Sequence, residues 1–120
     1  FPLIECEHEP FISLLESSAH DARRALESVG VRPNVRLHSK DDYAVIAMVR
    51  QGLGVSIMPS LLLRGNSSGV EARPIVPPSS RTIALAVRDE AGPAARRFAA
   101  FAAGWVRRWA DENKASPSEG

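Results

Sequence analysis

Between residues 10 and 59, three short apolar runs alternate with two segments whose apolar residues recur at helical spacing, and few folds accommodate that alternation. The first run, Pro10-Phe11-Ile12-Ser13-Leu14-Leu15, is opened by a proline and is too short for a helix, so it reads as one buried strand. Ala22, Ala25, Leu26 and Val29 then fall on one helical face, and Gly30 supplies a left-handed stop. Ser18 followed three residues later by Asp21 resembles a capping box and places the helix start near Ser18. Pro33 ends any residual helix, and Val35-Arg36-Leu37-His38 alternates apolar with polar, which predicts a second strand. Ser39-Lys40-Asp41-Asp42 is another Ser-x-x-Asp helix start; Tyr43, Val45, Ile46, Met48 and Val49 form the buried face of the helix, which ends at Gly52. Residues 53–58 return to strand character and stop at Pro59.

A β-α-β-α-β order with short connections implies parallel strands joined by right-handed crossovers, so the fold class is α/β. The rest of the chain is less regular. Residues 64–69 form a polar loop containing Gly65 and Gly69, and residues 70–76 are expected to make a short strand before Pro77-Pro78. Thr82-Ile83-Ala84-Leu85-Ala86-Val87 is strongly strand-like, and Gly92-Pro93 opens a long helix. Along that helix Phe98, Phe101, Ala102, Trp105, Val106 and Trp109 share one stripe opposite Arg96, Arg97, Arg107 and Arg108. Residues 111–120, rich in Asp, Glu, Lys, Ser and Pro, show no periodicity and are expected to be a disordered tail.

Composition narrows the function classes. With 120 residues, 44% hydrophobic and 24% charged, the chain can bury the core of one domain but not of two. A net charge of +1, with no long basic block outside the paired arginines of the final helix, argues that this piece does not itself grip nucleic acid. The single cysteine, Cys6, cannot form an internal disulfide, and no stretch reaches the ~20 apolar residues of a membrane span, so a cytoplasmic location is expected. The first residue is Phe1, with no initiator methionine, which reads as a fragment of a longer protein.

Residues 35–59, from Val35-Arg36-Leu37-His38 through the helix to Gln51-Gly52-Leu53-Gly54-Val55-Ser56-Ile57-Met58-Pro59, resemble the second lobe of LysR-type effector-binding domains. Gly52-Leu53-Gly54-Val55 is the most specific element. Pro10-Phe11-Ile12 is similar to that lobe's first strand, and residues 81–87 with Pro93 to Phe98 to the family's returning strand and final helix. The resemblance implies a periplasmic-binding-protein-like (type 2) fold with a ligand cleft between two α/β lobes. On this reading residues 8–76 are the second lobe, residues 81–110 the returning strand and C-terminal helix of the first, and residues 1–110 a truncated effector-binding domain. It further implies a small-molecule effector, regulation of transcription through a shift in the oligomer, and DNA contacts made only by an N-terminal domain outside this chain. No cofactor is implied. Self-association as a dimer or tetramer is expected, with the Phe98-to-Trp109 stripe as the contact. The alternative is a solute-binding protein of a transporter with the same fold.

Ligands of open α/β sheets bind beyond the carboxyl ends of the strands, where helix N-termini aim free N–H groups at the crevice. Residues 13–20 and 39–43 form two such corners, with hydroxyls, amides and a positive dipole that suit a carboxylate. The candidate effector-binding residues are Ser13, Ser17, Ser18, Ser39, Asp41 and Tyr43; by the resemblance, Ser39 and the loop 13–18 line the cleft. Each has a structural alternative. Ser18 and Ser39 serve equally as helix caps, Asp41 and Asp42 as caps or hinge residues, Tyr43 as core, and Gly52 and Gly54 as a plain helix stop. Ser17 or Ser18 with His20 and Asp21 invites a hydrolase reading, but Gly-x-Ser-x-Gly is missing, and Cys6-x-His8 lacks two further zinc ligands. The chain is therefore read as neither an enzyme nor a metal protein.

Overall fold

The computed structural model describes residues 1–15 and 19–114. It divides into two compact units, Phe1–Arg81 and Thr82–Gly120.

In the first unit a 3-10 turn, Leu3–Glu7, precedes strand β1 (Pro10–Leu14), helix α1 (Ala19–Glu27), strand β2 (Asn34–Ser39), helix α2 (Asp42–Arg50) and the single-turn helix α3 (Ser60–Leu63). The strands β1 and β2 pair in parallel from Pro10↔Asn34 to Leu14↔Ser39, with an irregularity between Phe11 and Ile12. Residues 53–58 meet the other edge of β1 through one parallel bridge, Phe11↔Val55. Two bonds hold it: Ile12 N donates to Val55 O and Val55 N to Pro10 O, both at 2.8 Å. Thus β1 lies between β2 and the 53–58 segment.

This order explains where the helices go. The β1-to-β2 crossover steps outward and the next crossover steps back past β1; two right-handed crossovers in opposite directions put their helices on opposite faces. The core accordingly has two halves. On one face Phe11 packs with Leu3, Cys6, Ala25, Leu26 and Val31, with Val55, Ile57 and Ile75 against them. On the other, Ile12 and Leu14 pack with Val45, backed by Met48, Val49 and Met58. The two-residue period of β1 sends Phe11 to α1 and Ile12 and Leu14 to α2. Ile12 and Val45 are both fully buried.

Several sequence expectations are corrected. Residues 53–58 and 70–76 make single bridges rather than strands; the second of these joins Val76 to Pro2, with Leu3 N donating to Val76 O at 3.0 Å. Pro74 and Pro77 each lack an N–H, so a ladder there could not extend. Tyr43 is not core but 65% exposed. It stands about 200° round the helix from Val45, which faces the sheet.

The second unit contains helix α4 (Pro93–Lys114). The helix runs beyond the expected boundary at residue 110, because Ala110, Glu112 and Lys114 are good helix formers; residues 115–120 of the expected tail lie outside the described residues. Residues 82–87 carry no strand, and Ile83, Leu85 and Val87 are exposed. On α4, Phe98, Phe101, Trp105 and Val106 are each more than half exposed, while Trp109 stacks on Trp105 with ring centroids 6.4 Å apart.

Candidate functional site

The carboxyl ends of β1 and β2 are tied together where Leu15 N donates to Ser39 O at 3.0 Å. The two sequence-predicted corners therefore flank one edge of the sheet. Ser13, half-buried and opposite His38, donates its hydroxyl to Leu14 O at 3.2 Å, a local bond that leaves the side chain on the strand. Ser17 and Ser18, and with them the expected cap of α1, lie outside the described residues.

The β2–α2 corner is fully described, and its hydrogen bonds reassign the cap. Asp41, extended at φ −104°, is the N-cap: its Oδ1 accepts from Tyr43 N at 2.8 Å and from Ala44 N at 3.4 Å. Ser39 sits two residues earlier, and its Oγ accepts from Asp41 N at 3.1 Å. The corner expected to present unpaired amides thus has those of Asp41, Tyr43 and Ala44 already engaged. Within the first turn Val45 N bonds Asp41 O. The Asp41 carboxylate occupies the dipole position that an anionic ligand would otherwise take. A carboxylate at this corner must therefore be held chiefly by hydroxyl and side-chain cations. The Ser39 hydroxyl proton has no acceptor among the described residues, and exposed Lys40 follows it directly in sequence. The structure brings Ser39, Asp41 and the backbone of Tyr43 together on this corner, and the Tyr43 side chain is exposed.

Asp42 Oδ1 is buried without a hydrogen-bond partner among the described residues. At the other corner Asp21, in the first turn of α1, holds two cations: Arg24 at 3.1 Å and Arg81 at 2.9 Å. Neither arginine was singled out in the sequence; Arg24 is a local partner three residues along the helix, whereas a partner sixty residues away, as for Arg81, leaves no local pattern.

Away from this edge, a cavity of about 400 Å³ opens between the 53–58 segment and residues 69–75, lined by Phe1, Cys6, Phe11, Val55, Ile57 and Ile75 among others. Burial, and to a lesser extent the Glu5 carboxylate, push the Cys6 thiol above its ordinary pKa. Among the described residues no group of three His, Cys, Asp or Glu side chains is placed to hold a metal ion. Nor is any described helix long and apolar enough to cross a membrane.

A family model described as the LysR substrate binding domain matches residues 2–107. No curated protein and no solved structure matches the chain.

Proposed function

The chain belongs to the LysR substrate-binding domain family, and from that premise we propose that it senses a small carboxylate-bearing metabolite at the edge where β1 and β2 end. Domains of this family are parts of transcription regulators with a periplasmic-binding-protein-like fold, not enzymes. The observation that supports this reading is the Ser39 hydroxyl, half-buried at the joined strand ends, whose proton has no acceptor among the described residues. In this reading Ser39 donates to the effector carboxylate, Lys40 supplies the counter-charge, Tyr43 covers the ligand, and Ser13, Ser17 and Ser18 are further effector contacts. Asp41 acts indirectly, by fixing the helix start.

The ligand bridges two lobes and binds one arrangement of the regulator's oligomer better than another, so occupancy shifts the population between them. Self-association of this chain uses the exposed stripe from Phe98 to Val106, and DNA contacts belong to an N-terminal helix-turn-helix domain of the cytoplasmic regulator. The family match favours this reading over a transporter's solute-binding protein.

A thermal-shift screen of the intact regulator against carboxylate, aromatic-acid and amino-acid metabolites tests the proposal, because ligand binding stabilises by RT ln(1 + [L]/Kd). We expect a carboxylate hit whose shift is lost in Ser39→Ala and retained in Ser39→Thr. A hit unaffected by Ser39→Ala would displace the site from this corner, and no hit across the panel would count against a carboxylate effector.

A further inference from the structure

Asp21 and Arg81 are sixty positions apart, yet their side chains meet at 2.9 Å. Other ion pairs of the chain, such as Arg73 with Glu71 and Arg88 with Glu90, join residues two positions apart and connect nothing beyond their own turn. The Arg81 pair differs in what it joins. Arg81 is the last residue of the first unit, and the chain enters the second at Thr82. Asp21 belongs to the first turn of α1, immediately beyond the corner where β1 hands over to that helix. We propose that the Asp21–Arg81 ion pair is a tether coupling the N-terminal turn of α1 to the connection that leaves the first unit, with Arg81 acting as a positioning residue for the effector corner.

Two physical effects combine in the pair. The first is geometric: residues 77–81 have no strand or helix to hold them, and Arg81 fastens their end to a helix of the packed core. The second is electrostatic. A carboxylate of Asp21 near the corner repels an incoming anion, and the Arg81 guanidinium offsets that charge, as Arg24 does from within the helix. An anion bound at the corner in turn competes for Arg81 and loosens the connection; by linkage, the coupling acts equally in both directions. At 44% and 25% side-chain exposure the pair is only partly screened, which makes it breakable rather than fixed. The purpose of the tether, though not its existence, rests on the sensor reading above.

The test is a double-mutant cycle in equilibrium urea unfolding of the protein, with wild type, Arg81→Gln, Arg81→Lys, Asp21→Asn, Asp21→Asn/Arg81→Gln, Arg24→Gln and Arg24→Gln/Arg81→Gln. We expect Arg81→Gln and Asp21→Asn each to lower the folded-to-unfolded ratio roughly two- to fivefold, the size expected for a partly exposed pair. The double variant at Asp21 and Arg81 should lose no more than either single one. Arg81→Lys should stay near wild type, and Arg81→Gln should cost as much in the Arg24→Gln background as in wild type. Additive losses in the Asp21→Asn/Arg81→Gln variant would overturn the coupling. If the metabolite screen fails while this cycle holds, the sensor reading falls and the tether stands.

Discussion

Gly54 is the position where the fold leaves no choice of side chain, and its replacement by alanine gives the sharpest test of the architecture. A Cβ at residue 54 would run into the backbone carbonyl of Pro10 and come within 3.3 Å of Ile12 Cγ1. The carbonyl cannot move aside cheaply, because it accepts the 2.8 Å bond from Val55 N that fastens the 53–58 segment to β1. Relieving the clash therefore weakens that bond and its companion from Ile12 N to Val55 O, about 1 kcal/mol each. The backbone at φ 157° adds roughly 1–3 kcal/mol of strain for a residue with a Cβ. Gly54→Ala should then destabilise by about 3 kcal/mol or more in equilibrium urea unfolding. Gly52 supplies the control: it has φ 73° but nothing within 4 Å of an added Cβ, so Gly52→Ala should cost only about 1–2 kcal/mol. Equal losses in the two variants would refute the close approach and return both glycines to the role of a helix stop.

Three further outcomes follow from the same contacts. Asp41→Ala should lower stability by about 1 kcal/mol, Asp41→Asn by less, and Ser39→Ala by less than Asp41→Ala, since Asp41 caps α2; a reversed order in urea unfolding would make Ser39 the cap. Ile12→Ala should cost about 2–5 kcal/mol and Ile12→Val about 0.5–1.5, because Ile12 is fully buried between β1 and α2; calorimetry showing a loss under 1 kcal/mol for alanine would mean this half of the core is loosely packed. Burial raises the Cys6 pKa, so the folded state keeps its proton while the unfolded chain releases it, and Cys6 costs stability as pH rises past the ordinary thiol value of ~8.5. Unfolding titrations from pH 7 to 10 should show wild type losing more stability than Cys6→Ala, and parallel curves would refute it.

The sequence was legible wherever a signal was local. The periods of two at Phe11 to Leu14 and of about 3.6 at Val45 to Val49 report which face is buried, and the structure buries Phe11, Ile12, Leu14, Val45 and Ile46. Cap identity was harder: Ser39 and Asp41 both accept hydrogen bonds near a helix start, and only backbone geometry shows that Asp41 receives the amides of Tyr43 and Ala44. Tyr43 was misplaced because an apolar ring next to a buried face reads as core until its angle round the helix is known. Of the candidate site, Ser13, Ser39, Asp41 and Tyr43 are described and Ser17 and Ser18 are not. Arg81 was invisible, because its carboxylate partner comes from a distant part of the chain.

Residues 82–87 carry a strand pattern without a strand. Ile83, Leu85 and Val87 alternate with small or polar residues as a half-buried strand requires, yet all three are exposed and no ladder forms. Alternation specifies which side chains a strand would bury; it says nothing of the backbone partner that must supply the hydrogen bonds. β1 finds such partners on both edges within its own unit, in β2 and in Val55. Residues 82–87 find none, and the same unit carries the uncovered aromatic stripe of α4. Strand pattern and aromatic stripe therefore express one property: each is written for a surface that Thr82–Gly120 does not itself provide. The corner between β2 and α2, by contrast, is built from β1, β2 and α2, which pack on one another within Phe1–Arg81, so the Ser39 and Gly54 variants test contacts that lie within that unit.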